Sequence, residues 1–146
     1  MKLDHYQLEA NEVFMAFQFV SEGPKGRILK EIQYVEMEAP NAYNLAFGDK
    51  NTLNEDIDDK VKSNNKDAQK ILATVAQSVL MFTKRHPEAW IFAEGGSPSR
   101  TRLYRMTVSN NLEAIEKVFI VIGYVNGHWV RFQRNVSYDY LIFKRK

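Results

Sequence analysis

The 146-residue chain contains no cysteine. That excludes disulfide staples, thiol nucleophiles and cysteine-ligated metal centres, and it suits a reducing, cytoplasmic setting. Four prolines and seven glycines exclude a low-complexity or collagen-like chain. No apolar run approaches the roughly 18 residues that read as a membrane span. The opening MKLDHYQLEA lacks the apolar centre of a signal peptide. Three histidines, His5, His86 and His128, stand far apart in sequence and make a poor metal set. Asp56 and Asp58 lack the glycine and glutamate register of a calcium loop. No metal and no cofactor is therefore expected.

The composition that remains is that of one soluble globular domain: 45% hydrophobic, 26% charged, rich in aromatics. Net charge is only +2, but it is unevenly spread. Asp49, Glu55, Asp56, Asp58 and Asp59 crowd one segment. Arg100, Arg102, Arg105, Lys117, Arg131 and Arg134 populate a later one. Such asymmetry produces a local positive field, or else solvated surface.

Periodicity places the elements. NEVFMAFQFV alternates Val13, Met15, Phe17 and Phe19 against Phe14, Ala16, Gln18 and Val20, predicting a strand. SEGPKG turns it into a returning strand from Arg27, and YNLAFGD supplies a third. Helical spacing of Ile71, Val75, Val79 and Phe82 predicts a helix from Asn64, its N-cap, to Arg85, with Asp67 in the first turn and Pro87 as the stop. WIFA reads as a buried strand. Ser97 and Pro98 read as N-cap and first residue of a second helix, ended by Asn110 and Asn111. Its sheet-facing side is expected at Leu103, Met106, Thr107 and Asn110. A further turn covers LEAIEK. Asn126-Gly127 predicts a type I′ hairpin, and SYDYLIFKRK a last strand. This order argues an α+β fold of two layers, a largely antiparallel sheet of six to seven strands against two helices.

The segment EGGSPSRTRLYR carries the sharpest functional question, since three arginines near a helix start oppose its dipole. Gly95, Gly96 and Ser97 offer backbone donors, and Arg100 a guanidinium fork, with Arg102 and Arg105 adding field. The expected ligand is a small anion or a partner's carboxylate. Neither the P-loop nor the dinucleotide fingerprint is present. The bland alternative is a capped helix with solubilising arginines. HWVRFQR interleaves aromatics and cations, so His128, Trp129, Arg131 and Arg134 are candidate nucleic-acid contacts, joined by Tyr104 of the arginine segment. Strand alternation alone would give the same pattern.

GGSPSRTRLYR, GYVNGHWVRF and YDYLIFKRK together resemble a family of small Bacteroidota proteins of unknown function. In that family a Gly-Ser-x-x-Arg-Thr-Arg-Leu-Tyr core follows a short hydrophobic strand, as Gly96 to Tyr104 do here. The resemblance implies a compact domain over nearly the whole chain and carries no site residues with it. Three functions compete: an anion-binding or protein-interaction surface at 95–105, a nucleic-acid-acting protein such as a ribonuclease-like toxin component, and an interaction module in a homodimer.

Overall fold

In the computed structural model, the described residues are 4–50, 57–58, 66–93 and 98–146, with 57, 58 and 98 described by backbone alone. The fold is α+β with a mostly antiparallel sheet. The strands are β1 (Glu9–Ala10), β2 (Ala16–Gly23), β3 (Gly26–Glu36), β4 (Ala42–Lys50), β5 (Ile57–Asp58), β6 (Trp90–Ala93), β7 (Phe119–Val125), β8 (His128–Arg131) and β9 (Tyr140–Arg145). The helices are α1 (Ala68–Arg85), α2 (Pro98–Asn110) and α3 (Leu112–Glu116). The strand count exceeds the expected six or seven because β1 and β5 add two-residue ladders. The short third helix is the LEAIEK turn.

The described chain divides into two compact units. One runs up to Tyr34 and includes Ala46–Arg85; the other combines Val35–Leu45 with His86–Lys146. In the first unit β1, β2, β3 and β4 are neighbours in that order, with β5 on β4. β2 and β3 form the expected hairpin, pairing Phe17 with Ile32 and Phe19 with Lys30. Directly paired residues share a face, so Phe17, Phe19, Lys30, Ile32 and Tyr34 line one side. α1 packs there: the Tyr34 and Phe82 rings stack at 4.1 Å, and the Tyr34 and Ser78 hydroxyls lie 2.7 Å apart. Val75, Val79 and Phe82 are buried as their spacing predicts and Ile71 is half-buried, while Thr74, Ser78 and Thr83 return their hydroxyls to backbone carbonyls of their own helix. Each large apolar side chain so buried stabilises by about 1.5–3 kcal/mol.

Two local expectations need correcting. β2 starts at Ala16, not Val13: Phe14 has φ 58°, and Asn11 Oδ1 accepts from the Met15 and Ala16 amides, which turns the chain before the ladder begins. α1 starts at Ala68, where the Asp67 carbonyl accepts from the Ile71 amide, so Asp67 precedes the helix. The expected N-cap, Asn64, lies outside the described residues.

In the second unit the order is the first half of β4, then β6, β9, β7 and β8. β4 and β6 are parallel, Ala42 beside Trp90 and Leu45 beside Ala93; the other pairs are antiparallel. Asn126 and Gly127 have φ 51° and 78°, as a type I′ turn requires. One sheet face is closed: Ile91, Val121 and Leu141 are fully buried. α2 buries Thr101, Tyr104 and Val108, and α3 adds Leu112. Leu103 and Met106 are exposed, contrary to the expected docking face. α2 has apolar residues on two sides, and Thr101, Tyr104, Val108 and Leu112 form the i, i+3, i+4 stripe that can meet the core.

Candidate functional site

The arginine segment is only partly described. Gly95, Gly96 and Ser97 lie outside the described residues. α2 carries no acidic residue in its first turn. Arg100 is half-buried, and Arg102 is exposed. Arg105 turns towards the chain that links β8 to β9. Its Nη1 donates to the Val136 carbonyl at 3.3 Å and to Ser137 Oγ at 3.1 Å. Its Nε is buried without an acceptor among the described residues. From that linking chain, Arg134 Nε donates back to the Ser109 carbonyl at 3.0 Å. Arg105 and Arg134 therefore tie α2 to residues 132–139. Tyr104 is core.

That linking chain is held from within as well. Tyr138, expected in the last strand, lies before it and is buried against Gly123. Its hydroxyl accepts from the Gln133 amide at 2.9 Å, and its ring lies 5.2 Å from that of Phe132. The Phe132 amide donates to Val121 and the Asp139 amide to Tyr124. These bonds set where β8 and β9 leave the loop, and so where their side chains emerge.

They emerge on the face away from the buried core. The registers Phe92–Ile142–Ile122–Arg131 and Tyr140–Tyr124–Trp129 put these residues on one side of the sheet. Trp129 is 46% exposed and Tyr140 38%. Phe92, Ile122 and Tyr124 are half-buried and Ile142 is buried, so this face is open at Trp129, Tyr140 and Arg131 and covered towards its middle. Tyr124 lies 4.7 Å from Trp129 and 5.7 Å from Tyr140, ring centre to ring centre. Trp129 meets Phe92 edge-on at 6.1 Å. Cations flank the rings on the same side. Arg131 makes a loose 3.7 Å pair with Glu116, and Lys144 a 3.8 Å pair with Glu88 while lying over the Trp90 ring. His128 and Arg134 are exposed nearby in sequence. Of the expected nucleic-acid contacts, Trp129 and Arg131 share this face. Phe92 and Tyr124 were not expected there. Their alternation with buried neighbours was legible, but it does not tell which face stays open.

The chain belongs to a family of unknown function (DUF6934), which it matches over residues 2–146. No curated protein and no solved structure matches it.

Two further polar clusters sit in the first unit. Lys30 and Glu31, adjacent in β3, are both about as buried as core residues, at 5% exposure. They point to opposite faces, as strand alternation requires. Lys30 pairs with Asp49 and lies 5.8 Å from the Phe47 ring centre. The Glu31 carboxylate accepts from Lys50 Nζ, Gln18 Nε2 and Gln33 Nε2 at 3.1–3.3 Å. A buried charge with that many donors is a satisfied structural ion. The second cluster precedes α1. Tyr6 and Ser21 hydroxyls both donate to Asp67 Oδ2 at 2.5 Å, and the Tyr6 amide donates to Thr74 Oγ1. Burial, then the bond to the Asp67 carboxylate, raises the Tyr6 phenol above its ordinary pKa. Among the described residues no three His, Asp or Glu side chains are placed to hold a metal ion. Among them, too, no helix is long and apolar enough to cross a membrane.

Proposed function

We propose that the chain is a polyanion-binding module whose contact surface lies within residues 98–146. One observation carries the reading: nine arginines and lysines occupy that stretch against Glu113, Glu116 and Asp139. Arg131 and Arg134 among them are exposed. Phosphate groups are the natural complement of such a field, and their binding releases condensed counterions. Arg100 and Arg102 would extend it towards Gly95, Gly96 and Ser97, where a small anion or a partner's carboxylate is the narrower alternative. Arg105 contributes positive field while its fork is engaged with Val136 and Ser137.

The test is fluorescence anisotropy of the whole chain with a labelled heparin oligosaccharide, polyphosphate and single-stranded RNA, at about 50 and 150 mM salt. Binding that weakens steeply between the two salt levels is expected. Failure of every polyanion to bind at the lower level would overturn the reading. Shortening of the RNA probe during the experiment would instead establish the ribonuclease-like activity considered from sequence.

A further inference from the structure

We propose that the aromatic patch on β6, β9, β7 and β8, exposed at Trp129 and Tyr140, is a stacking platform for the unpaired bases of a single-stranded nucleic acid. This rests on the polyanion reading and names its ligand. Phe92, Tyr124, Trp129 and Tyr140 form a chain of ring contacts at 4.7–6.1 Å. The rings therefore brace one another, and little side-chain entropy is lost when a base settles on them. Trp129 and Tyr140, the most exposed, supply the outer surfaces. Every base has a π-face, so such a surface binds without needing a sequence.

Charge selects the occupant. Arg131 pairs in register with Ile122, and Lys144 with Ile120, so both cations border the rings on the same face. Their carboxylate partners are weak competitors. Arg131 sits 3.7 Å from Glu116 with its own side chain 61% exposed, and Glu88, at 3.8 Å from Lys144, is 79% exposed. Lys144 itself is 21% and Glu116 35% exposed, but long pairs with one well-solvated partner are worth little, so a phosphate can replace the carboxylate. A second copy of this chain, laid face to face about a two-fold axis, would bring like cations into one interface. A duplex keeps its base faces stacked internally and offers none to Trp129.

The experiment uses the whole chain and its Trp129→Ala, Trp129→Phe and Tyr140→Ala variants, each checked for an unchanged thermal melt. The probes are a labelled mixed-sequence RNA of about 12 nucleotides, its duplex and heparin. Trp129→Ala should weaken single-strand binding at least about fivefold, with Phe restoring most of it, because the stacking contact depends on an aromatic ring. Heparin binding should not change, and the duplex should bind more weakly than the single strand. If both alanine variants keep single-strand affinity within about twofold while heparin still binds, the platform is wrong and the polyanion reading stands. If no probe binds, the polyanion reading falls and the platform with it. A wild-type dimer that Trp129→Ala converts to a monomer, with RNA affinity untouched, would assign the face to self-association and overturn the proposal.

Discussion

Gly123→Ala adds one methyl group to β7, and it is expected to be among the most damaging small substitutions in the chain. A Cβ at Gly123 would stand 2.3 Å from Tyr138 Cδ1, 2.5 Å from Cγ and 2.6 Å from Cε1. The backbone at Gly123 is ordinary strand, so no conformational strain contributes; the ring alone opposes the methyl. Tyr138 cannot swing aside cheaply. Its hydroxyl accepts from Gln133, its ring packs on Phe132, and Arg105 holds the Val136 carbonyl and Ser137 two residues and one residue before it. Moving the ring means releasing several of these, which places the cost near the top of the overpacking range, about 3 kcal/mol. For a chain of this size that lowers Tm by about 6–12 °C. Differential scanning calorimetry of Gly123→Ala, Tyr138→Ala and the double variant measures it. With the ring removed, the added methyl should cost little, so the two single losses should not add. A Gly123→Ala melt within about 2 °C of wild type, or the same loss in both backgrounds, would refute the argument.

Asp49→Ala removes the carboxylate that pairs with buried Lys30 on the apolar side of β3 and should cost up to about 3–5 kcal/mol in urea denaturation. Replacing the pair together, Lys30→Met with Asp49→Leu, should recover most of that loss, since well-packed apolar residues can substitute for a buried pair. Tyr6 gives a pH signature. Its folded pKa lies above the ordinary value of 10.0, so the folded state holds the proton more firmly than the unfolded chain. The stabilisation is then complete below that ordinary value and is lost as pH rises through the raised one. Tyr6→Phe should lower stability at neutral pH and flatten the decline above pH 10.0, as read from chemical denaturation in paired buffers.

Much of the fold depends on near neighbours and was legible for that reason. The Asn126-Gly127 turn, the start of α2 at Pro98 and the buried Val75, Val79 and Phe82 stripe each follow from backbone sterics or from one helical period. The arginine segment was also visible, but its reading was not. A local motif shows that Arg105 is a cation near a helix start. It cannot show that the side chain reaches residues 136 and 137, some thirty positions on. The docking face of α2 failed for a related cause: Leu103 and Met106 compete with Tyr104 and Val108 as apolar stripes, and only the sheet beneath decides between them. In the same way, period-two alternation separates Tyr124 from Gly123 but does not say which of the two faces a helix will cover.

Composition, turn chemistry and periodicity alone thus determined an α+β chain with its hairpins, helices and strand phases, because those depend on interactions within a few residues. The tertiary structure decided that β9 inserts between β6 and β7, that Lys30 and Glu31 are both buried, that Tyr138 lies against Gly123, and that Trp129 and Tyr140 stay exposed. Each of these is a pairing across long stretches of chain, and its free energy depends on burial that exists only once the strands have met.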